Sequence, residues 1–156
     1  MKYLVIFMLV FLSSAYASED ASKNYFKLGG IYGEYKGNDI VLPQNLKGFG
    51  VNYGFGHYFG PLALEVSHKV LSTKSGNDDY TYSAFSFGPR LSLNNISLLG
   101  GVSLSSVADH DYMVLYYAGI GGELKVLGVF GIFADLTYTF SKIKATEFTS
   151  GLKVYF

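Results

Sequence analysis

The residues with the clearest capacity for chemistry are charged side chains that recur within small-residue and apolar segments. Paired carboxylates can act as a general acid and base, and an Arg beside a carboxylate can form a bidentate ion pair. Catalysis also needs a cleft that admits a substrate, and the surrounding Gly, Ser and Ala residues indicate close packing instead. We therefore expect a structural ion network. Its predicted members are Glu65, Arg90, Glu123, Asp135 and Lys153, with Lys27, Lys69 and Lys125 on the same face.

Histidine provides the second kind of chemistry, as a general base or a metal ligand. Ser67 and His68 are adjacent, but neighbouring residues of a strand point to opposite faces, so this pair cannot form a hydrogen-bonded dyad. His57 falls on the same alternating face as His68. Residues 109–111 are a consecutive Asp, His and Asp, which is weak ligand geometry and typical of a solvated turn. The sequence predicts no catalytic residue, no metal site and no cofactor.

The β-strands that must position these residues are predicted from an alternation of side-chain types with a period of two residues. After residue 17, large apolar residues alternate with Gly, Ser, Ala and charged residues, which indicates β-strands. Gly60 with Pro61, and Asn94 with Asn95, form tight turns because Gly and Asn tolerate positive φ. We predict eight strands at residues 25–35, 48–59, 62–72, 80–93, 96–106, 112–125, 129–141 and 147–156.

The connections between these strands alternate in length. Three are tight, at residues 60–61, 94–95 and 126–128, and four are longer and more polar. An even number of strands, with short turns at one end and longer loops at the other, is typical of outer-membrane β-barrels. The predicted fold class is all-β, an eight-stranded antiparallel up-and-down transmembrane β-barrel.

Side-chain size predicts which face points outward. The interior of an eight-stranded barrel is just wide enough for packed side chains, so the many Phe, Leu and Tyr residues must face lipid. Only 15% of residues are charged, against about 25% in soluble domains, which argues against the alternative of a soluble barrel. The charges then form one polar layer in the lower half of a filled lumen, with Arg90 bridging to Glu65 and Lys153 to Glu123. Passage of protons or ions is the alternative role.

Composition and the N-terminus bound the location of the protein. The net charge of zero removes the basic footprint of nucleic-acid binding, and the absence of Cys excludes disulfides and thiolate metal sites. Lys2, an apolar run over residues 3–12, and Ala15 and Ala17 around Tyr16 match a cleavable signal peptide. We predict a signal peptide at 1–17 and a single barrel domain at 18–156, exported to a bacterial outer membrane.

Aromatic and charged residues at the strand ends predict two further surfaces. Aromatic girdles at the membrane interfaces are expected to include Tyr25, Phe26, Tyr58, Phe59, Tyr80, Tyr138, Phe140, Phe148, Tyr155 and Phe156. Loop contacts with an external ligand are expected from residues of mixed charge, which form no evident polyanion-binding patch. These loop residues are Lys36, Asp39, Lys47, Lys74, Asp78, Asp79, Lys142 and Lys144.

Five segments of the sequence resemble the Ail/OmpX-like outer-membrane proteins. They are Ser-Phe-Gly-Pro-Arg-Leu-Ser-Leu-Asn at 86–94, Gly-Gly-Val-Ser-Leu at 100–104, Ala-Gly-Ile-Gly-Gly at 118–122, Leu-Thr-Tyr-Thr-Phe-Ser-Lys-Ile at 136–143, and the terminal Gly-Leu-Lys-Val-Tyr-Phe at 151–156. The resemblance implies an eight-stranded outer-membrane barrel whose C-terminal Phe156 is part of the signal read by the barrel-assembly machinery. In the family a Tyr usually lies two residues before that Phe, whereas Tyr155 is penultimate here.

The resemblance also implies a role and a set of partners. The expected role is non-enzymatic and envelope-structural, with surface adhesion or host interaction of the virulence-associated kind through short loops. The expected partners of the monomer are outer-membrane lipid, lipopolysaccharide and a host-surface or extracellular-matrix ligand. Family members with adhesion or invasion activity carry longer loops than this chain. The alternatives are a lipid A-modifying barrel enzyme and a narrow non-specific pore.

Overall fold

The computed structural model describes residues 24–36, 46–75, 78–107, 112–126 and 128–156 as an antiparallel sheet that closes on itself. Each strand pairs with the next along the chain, and the last pairs with the first. No helix in the described part of the chain is long and apolar enough to cross a membrane. The strands are β1 (Asn24–Lys36), β2 (Leu46–Phe59), β3 (Leu62–Ser75), β4 (Asp78–Leu93), β5 (Ile96–Val107), β6 (Met113–Lys125), β7 (Phe130–Phe140) and β8 (Lys144–Tyr155).

The predicted fold class and the eight predicted strands are confirmed, with longer strands at the loop end. β3 ends at Ser75 and β4 begins at Asp78, so both strands extend into the predicted loop 73–79. β8 begins at Lys144 instead of residue 147. Lys74 pairs in register with Asp79, so the ladder continues through polar residues. Backbone hydrogen bonding between antiparallel strands does not require apolar side chains, and the end of the apolar pattern therefore underestimated strand length.

The tight turns depend on residues in the left-handed backbone region. Gly60 and Gly128 both have φ of 67°, and Asn94 has φ of 57°. Gly adopts this conformation without steric cost, and Asn is the non-glycine residue that best tolerates it. These turns hold β2 to β3, β4 to β5 and β6 to β7 at one end, which we call the turn end. The opposite end is the loop end.

The two faces of the sheet differ as their side-chain sizes predict. Phe49 is 71% exposed and Phe87 50% exposed on the outside of the barrel. Arg90 and Lys153 are 0% exposed on the inside. The outward direction of the large apolar residues is confirmed, and the inward face carries the small and charged residues.

The interior contains an apolar cluster towards the loop end and a tyrosine cluster towards the turn end. The tyrosine cluster joins Tyr25, Ala63 and Tyr155, with Tyr58 packed against it. Successive residues of a strand point to opposite faces, so a residue an even number of positions from an inward-facing one also points inward, even at a strand end. The apolar cluster includes Ile31, Tyr35, Leu46, Leu71, Tyr82, Leu115 and Ile143, with Tyr80 packed against it.

The predicted aromatic girdles need a correction that follows from these clusters. Tyr25, Tyr58, Tyr80 and Tyr155 belong to the interior and not to the outer surface, and the prediction that they face the membrane interface was wrong. Their position near strand ends suggested a girdle, but the alternation of side chains along each strand directs them to the inner face of the barrel. The other predicted members are exposed, namely Phe26, Phe59, Tyr138, Phe140, Phe148 and Phe156.

Candidate functional site

Arg90 of β4 lies at the centre of an ion cluster in the middle of the barrel. Its Nε donates a hydrogen bond to Glu65 Oε2 of β3 at 3.1 Å, and its Nη2 donates to Asp135 Oδ2 of β7 at 2.5 Å. Lys27 of β1 forms an ion pair with the other oxygen of Glu65, and Tyr25 donates a hydrogen bond to Glu65 Oε2 at 2.6 Å. One guanidinium therefore links a neighbouring strand to a strand across the lumen.

A second ion cluster lies nearer the turn end. Lys153 Nζ is 2.5 Å from Glu123 Oε2, and the Tyr155 hydroxyl donates to the other oxygen of the same carboxylate. The Tyr58 hydroxyl lies 3.4 Å from Glu123 Oε2. The Lys153 ammonium also lies 4.3 Å from the ring centroid of Tyr25, within the range of a cation–π contact. The tyrosine cluster and this ion cluster thus form a single packed unit.

A third ion cluster lies nearer the loop end. Lys69 Nζ is 2.6 Å and 2.5 Å from the two carboxylate oxygens of Glu147, and Tyr35 donates to Glu147 Oε1 at 2.7 Å. Sequence reasoning missed Glu147 because it stood at the predicted start of a strand. The alternation through Thr149 and Lys153 extends to this residue and would have found it.

The structure places the sequence-predicted charges inside the barrel with one exception. The expected contacts of Arg90 with Glu65 and of Lys153 with Glu123 are both present. These contacts belong to adjoining clusters, because Lys27 and Lys153 are register partners on β1 and β8, and the pair of Lys69 with Glu147 is a further cluster that the expected layer did not include. Lys125 was predicted to face the lumen, but it is exposed at the last residue of β6, with its ammonium 4.7 Å from the Tyr155 ring centroid. A long side chain at a strand end can keep its charge in water, which explains this correction.

A small cavity lies between the ion clusters of the described residues. The cavity measures about 30 Å³, enough for one or two water molecules. Asn52 Oδ1 and Asp135 Oδ1, both from residues that line it, have no hydrogen-bond partner among the described residues. Such a space suits bound water better than a substrate. Among the described residues the buried cations are Lys27, Lys69, Arg90 and Lys153, the buried carboxylates are Glu65, Asp135 and Glu147, and the half-buried Glu123 pairs with Lys153.

Gly121 of β6 makes room for the central cluster, and a methyl group at this position is expected to destabilise the barrel. A Cβ on Gly121 would lie 2.2 Å from Asp135 Oδ1 and 2.9 Å from Arg90 Nη1. We expect Gly121→Ala to lower the free energy of unfolding by about 1–3 kcal/mol, the usual range for an overpacked interior. The matched control is Gly122→Ala, whose Cβ would meet nothing nearer than 3.7 Å. Equal effects of the two substitutions in urea unfolding would contradict the packing of this cluster.

The outer face also carries a histidine contact that the sequence analysis did not find. His68 Nε2 is 2.9 Å from Ser83 Oγ of β4, and His68 Nδ1 is 2.8 Å from the Tyr53 hydroxyl of β2. Ser67 lines the internal cavity, so it forms no dyad with His68, as expected from strand geometry. His57 contacts Asn24 at 2.7 Å. Residues 109–111 lie outside the described part of the chain, in which no group of three or more acidic or histidine residues could hold a metal ion.

The predicted loop residues form two different groups at the loop end. Lys47 pairs with Glu34 at 2.9 Å, and Lys74 pairs with Asp79 at 3.4 Å. Lys36 and Lys144 lie directly opposite each other on β1 and β8, and exposed Lys142 precedes β8. Lys36 and Lys144 are therefore neighbours on adjacent strands, and Lys142 lies two residues from Lys144 along the chain. Asp39 and the side chain of Asp78 lie outside the described residues.

The C-terminus completes the closure between β8 and β1. The Phe156 N–H donates to the Asn24 carbonyl at 3.0 Å, and the Asn24 N–H donates to the Phe156 carbonyl at 3.1 Å. The Phe156 side chain is 60% exposed on the outer surface. This residue thus lies at the turn end of the seam where the first and last strands meet.

A closed eight-stranded antiparallel barrel with an apolar outside and a filled, charged inside is the architecture of small outer-membrane β-barrel proteins. Neisserial surface protein A (NspA) has this fold, with a TM-score of 0.66 at 15% sequence identity. Ail, the attachment invasion locus protein of Yersinia pestis, matches with a TM-score of 0.61 at 17% identity. A second structure of Ail, in complex with the heparin analogue sucrose octasulfate, gives a TM-score of 0.59 at 17% identity.

Each of these matches covers 88% of this chain and 100% of the other. The comparison therefore spans whole barrels, and it establishes the fold that was expected from the resemblance. No protein-family model matches the chain, and no curated protein matches it in sequence.

Proposed function

We propose that this chain is an integral protein of a Gram-negative outer membrane, a monomer with an envelope-structural role that presents its loop end to the exterior. The observation that carries the proposal is the combination of an apolar outer face with a packed, charge-balanced interior. Every backbone group of a closed barrel can be satisfied within the sheet, as hydrocarbon requires. The signal peptide at 1–17 would export the chain, and Phe156 would serve as its signal to the barrel-assembly machinery.

The packed interior favours this role over that of a narrow pore. Arg90 spans the lumen between Glu65 and Asp135, and the two interior clusters pack above and below the cavity. With the half-buried Glu123 included, the described interior holds as many carboxylates as cations, which gives no preference for either sign of ion. A solute would have to break several ion pairs in order to pass.

Reconstituted protein is therefore expected to show no stable conductance steps in planar lipid bilayers under an applied potential. The reason is that side chains fill the lumen at several heights, so no continuous water column connects the two ends. A known open barrel incorporated into the same bilayer serves as the positive control. Reproducible single-channel steps from the folded protein would support the pore and contradict the structural role.

Three lysines at the loop end support surface adhesion as part of the proposed function. Like charges directly opposite each other on adjacent strands are destabilising, and Lys36 and Lys144 have this arrangement. Lys142 lies two residues from Lys144 in the same connection. An anionic ligand would relieve the repulsion, and a host-surface or extracellular-matrix polyanion has this chemistry, as does the phosphate of lipopolysaccharide.

Adhesion predicts that a variant with Lys36, Lys142 and Lys144 all changed to Gln loses binding to a sulfated polysaccharide. The matched control changes Lys47 and Lys74 to Gln, because those lysines already pair with Glu34 and Asp79. Binding by folded protein in micelles, measured at rising salt, should fall several-fold more in the triple variant than in the control. Absence of binding by the unaltered protein, or an equal loss in both variants, would reject polyanion adhesion.

A further inference from the structure

Tyr53, His68 and Ser83 form a continuous hydrogen-bonded chain across β2, β3 and β4 on the outer face of the barrel. We propose that these three residues form a serine esterase site that acts on acyl esters of outer-leaflet lipids. The proposal goes beyond the structural role and departs from the expectation that the barrel carries no catalytic residue. The contacts that support it are separate from the ion clusters in the lumen and from the lysines at the loop end.

The three residues have the mutual arrangement of a nucleophile, a base and a group that orients the base. Ser83 Oγ is 2.9 Å from His68 Nε2, within the range for transfer of the serine proton. The other ring nitrogen, Nδ1, is 2.8 Å from the Tyr53 hydroxyl oxygen. Tyr53 is the register partner of His68, and Ser83 is the partner of Val70, two residues along β3. The strand ladder therefore holds all three residues in place.

Aromatic packing fixes the plane of the His68 ring. Phe85 stacks on it, with ring centroids 4.1 Å apart and an angle of 23° between the planes. Tyr53 meets it edge-on, at 5.3 Å and 76°. A base whose orientation is set by packing on rigid strands needs little reorganisation before reaction. This packing distinguishes His68 from a solvated surface histidine.

The height of Ser83 on the barrel points to the class of substrate. On the outer face of β4, the apolar residues end at Phe85, and Thr81 and Asp79 follow Ser83 towards the loop end. Ser83 lies eight residues above Leu91 at the turn end, which corresponds to ~20 Å along the barrel axis, near the upper edge of an apolar band ~25 Å tall. Ester bonds between acyl chains and lipid headgroups lie at this boundary.

The reaction would proceed by transfer of the acyl group to Ser83. In the productive tautomer Nδ1 of His68 donates its hydrogen to the Tyr53 oxygen, and Nε2 accepts the Ser83 proton as Oγ attacks the ester carbonyl carbon. The bond to the leaving alkoxide breaks, and His68 returns the proton to that oxygen, which leaves an acyl-serine and a free alcohol. Water, deprotonated by the same nitrogen, then attacks the acyl-serine, releases a fatty acid and restores Ser83.

The residue that orients His68 bears on the expected rate of the site. Tyr53 orients the imidazole without neutralising the positive charge that develops on it, unlike the buried carboxylate of a serine protease. Turnover is accordingly expected to be slow, and a covalent probe is a better first test than steady-state kinetics.

The test uses the folded full barrel in detergent micelles with a fluorophosphonate probe and a dispersed p-nitrophenyl ester of a medium-chain acid. We expect an adduct on Ser83 by peptide mass spectrometry, and ester hydrolysis that falls at least ~100-fold in Ser83→Ala and His68→Phe. Ser150→Ala is the matched control, because Ser150 is an exposed serine on β8. Tyr53→Phe should lower kcat at unchanged KM, which a merely structural contact would not do.

Two experiments with lipid vesicles identify the lipid whose ester bond is cleaved. Fatty acid release is measured by mass spectrometry from phospholipid vesicles and from lipopolysaccharide-containing vesicles, each with the unaltered protein and with Ser83→Ala. Release that depends on Ser83 in either arm assigns the lipid. Heat-modifiable gel migration confirms that each variant is folded. A folded protein that gives no Ser83 adduct and hydrolyses the esters no faster than Ser83→Ala would overturn the proposal, and hydrolysis of the dispersed ester alone would overturn the lipid assignment.

Discussion

Replacing Arg90 with Ala is expected to lower the free energy of unfolding of the barrel by about 3–5 kcal/mol, the cost of breaking a buried ion network by removing one partner. The guanidinium is 0% exposed and contacts both Glu65 and Asp135. Its removal leaves two carboxylates inside the barrel with Lys27 as their nearest remaining cation. Urea unfolding in micelles or vesicles, followed by heat-modifiable migration, measures the loss.

Two further variants separate the charge of Arg90 from its shape. Arg90→Lys keeps the charge but loses the planar fork, so an intermediate loss is expected. Lys74→Ala removes an exposed lysine that pairs with Asp79, and surface pairs of this kind contribute about 0–1 kcal/mol. If Arg90→Ala proved as mild as Lys74→Ala, the buried network could not be what holds the strands across the lumen.

An arginine on the outer face at the middle of the apolar band is expected to have the second-largest effect. Val66 of β3 is 50% exposed on the outside of the barrel, between the turn end and the loop end. Val66→Arg should cost about 2–4 kcal/mol in a lipid bilayer, because a cation at the bilayer midplane loses its hydration. Reversible unfolding from lipid vesicles is the appropriate measurement, since micelles tolerate such charges better.

The matched control lies on the same strand and the same face. Ser72 is six residues nearer the loop end and is also exposed, so Ser72→Arg places the same side chain near the membrane surface. The cost there should fall to about 0–1 kcal/mol, as expected close to an interface. Equal costs at positions 66 and 72 would mean that the outer face does not meet hydrocarbon.

The strands and their faces could be predicted from the sequence because alternation is a local property of the chain. Phe85, Phe87 and Arg90 were assigned to opposite faces from their spacing alone, and the structure places them there. The failures share a different cause. Tyr25 and Tyr155 were assigned to the aromatic girdles because they lie near strand ends, although the alternation along their strands directs them inward.

Contacts between strands were harder to predict because they depend on register and height. Ser83 is 15 residues from His68 along the chain, and only the pairing of β3 with β4 brings them within 2.9 Å. Glu147 is 78 residues from Lys69, and their ion pair crosses the lumen. Side-chain size and periodicity carry no information about such distances, so the third ion cluster and the outer histidine site emerged only from the folded barrel.

The direction of the two sheet faces can be measured most directly on β4 with single cysteines, since the natural chain contains none. Phe85→Cys, Ser86→Cys and Phe87→Cys would each be folded into lipid vesicles and reacted with a thiol-specific spin label. We predict that positions 85 and 87 react and show strong collisions with a relaxation agent dissolved in the lipid, whereas position 86 is protected. Protection at 85 and 87 with lipid contact at 86 would contradict the central claim that the apolar face is the outside of the barrel.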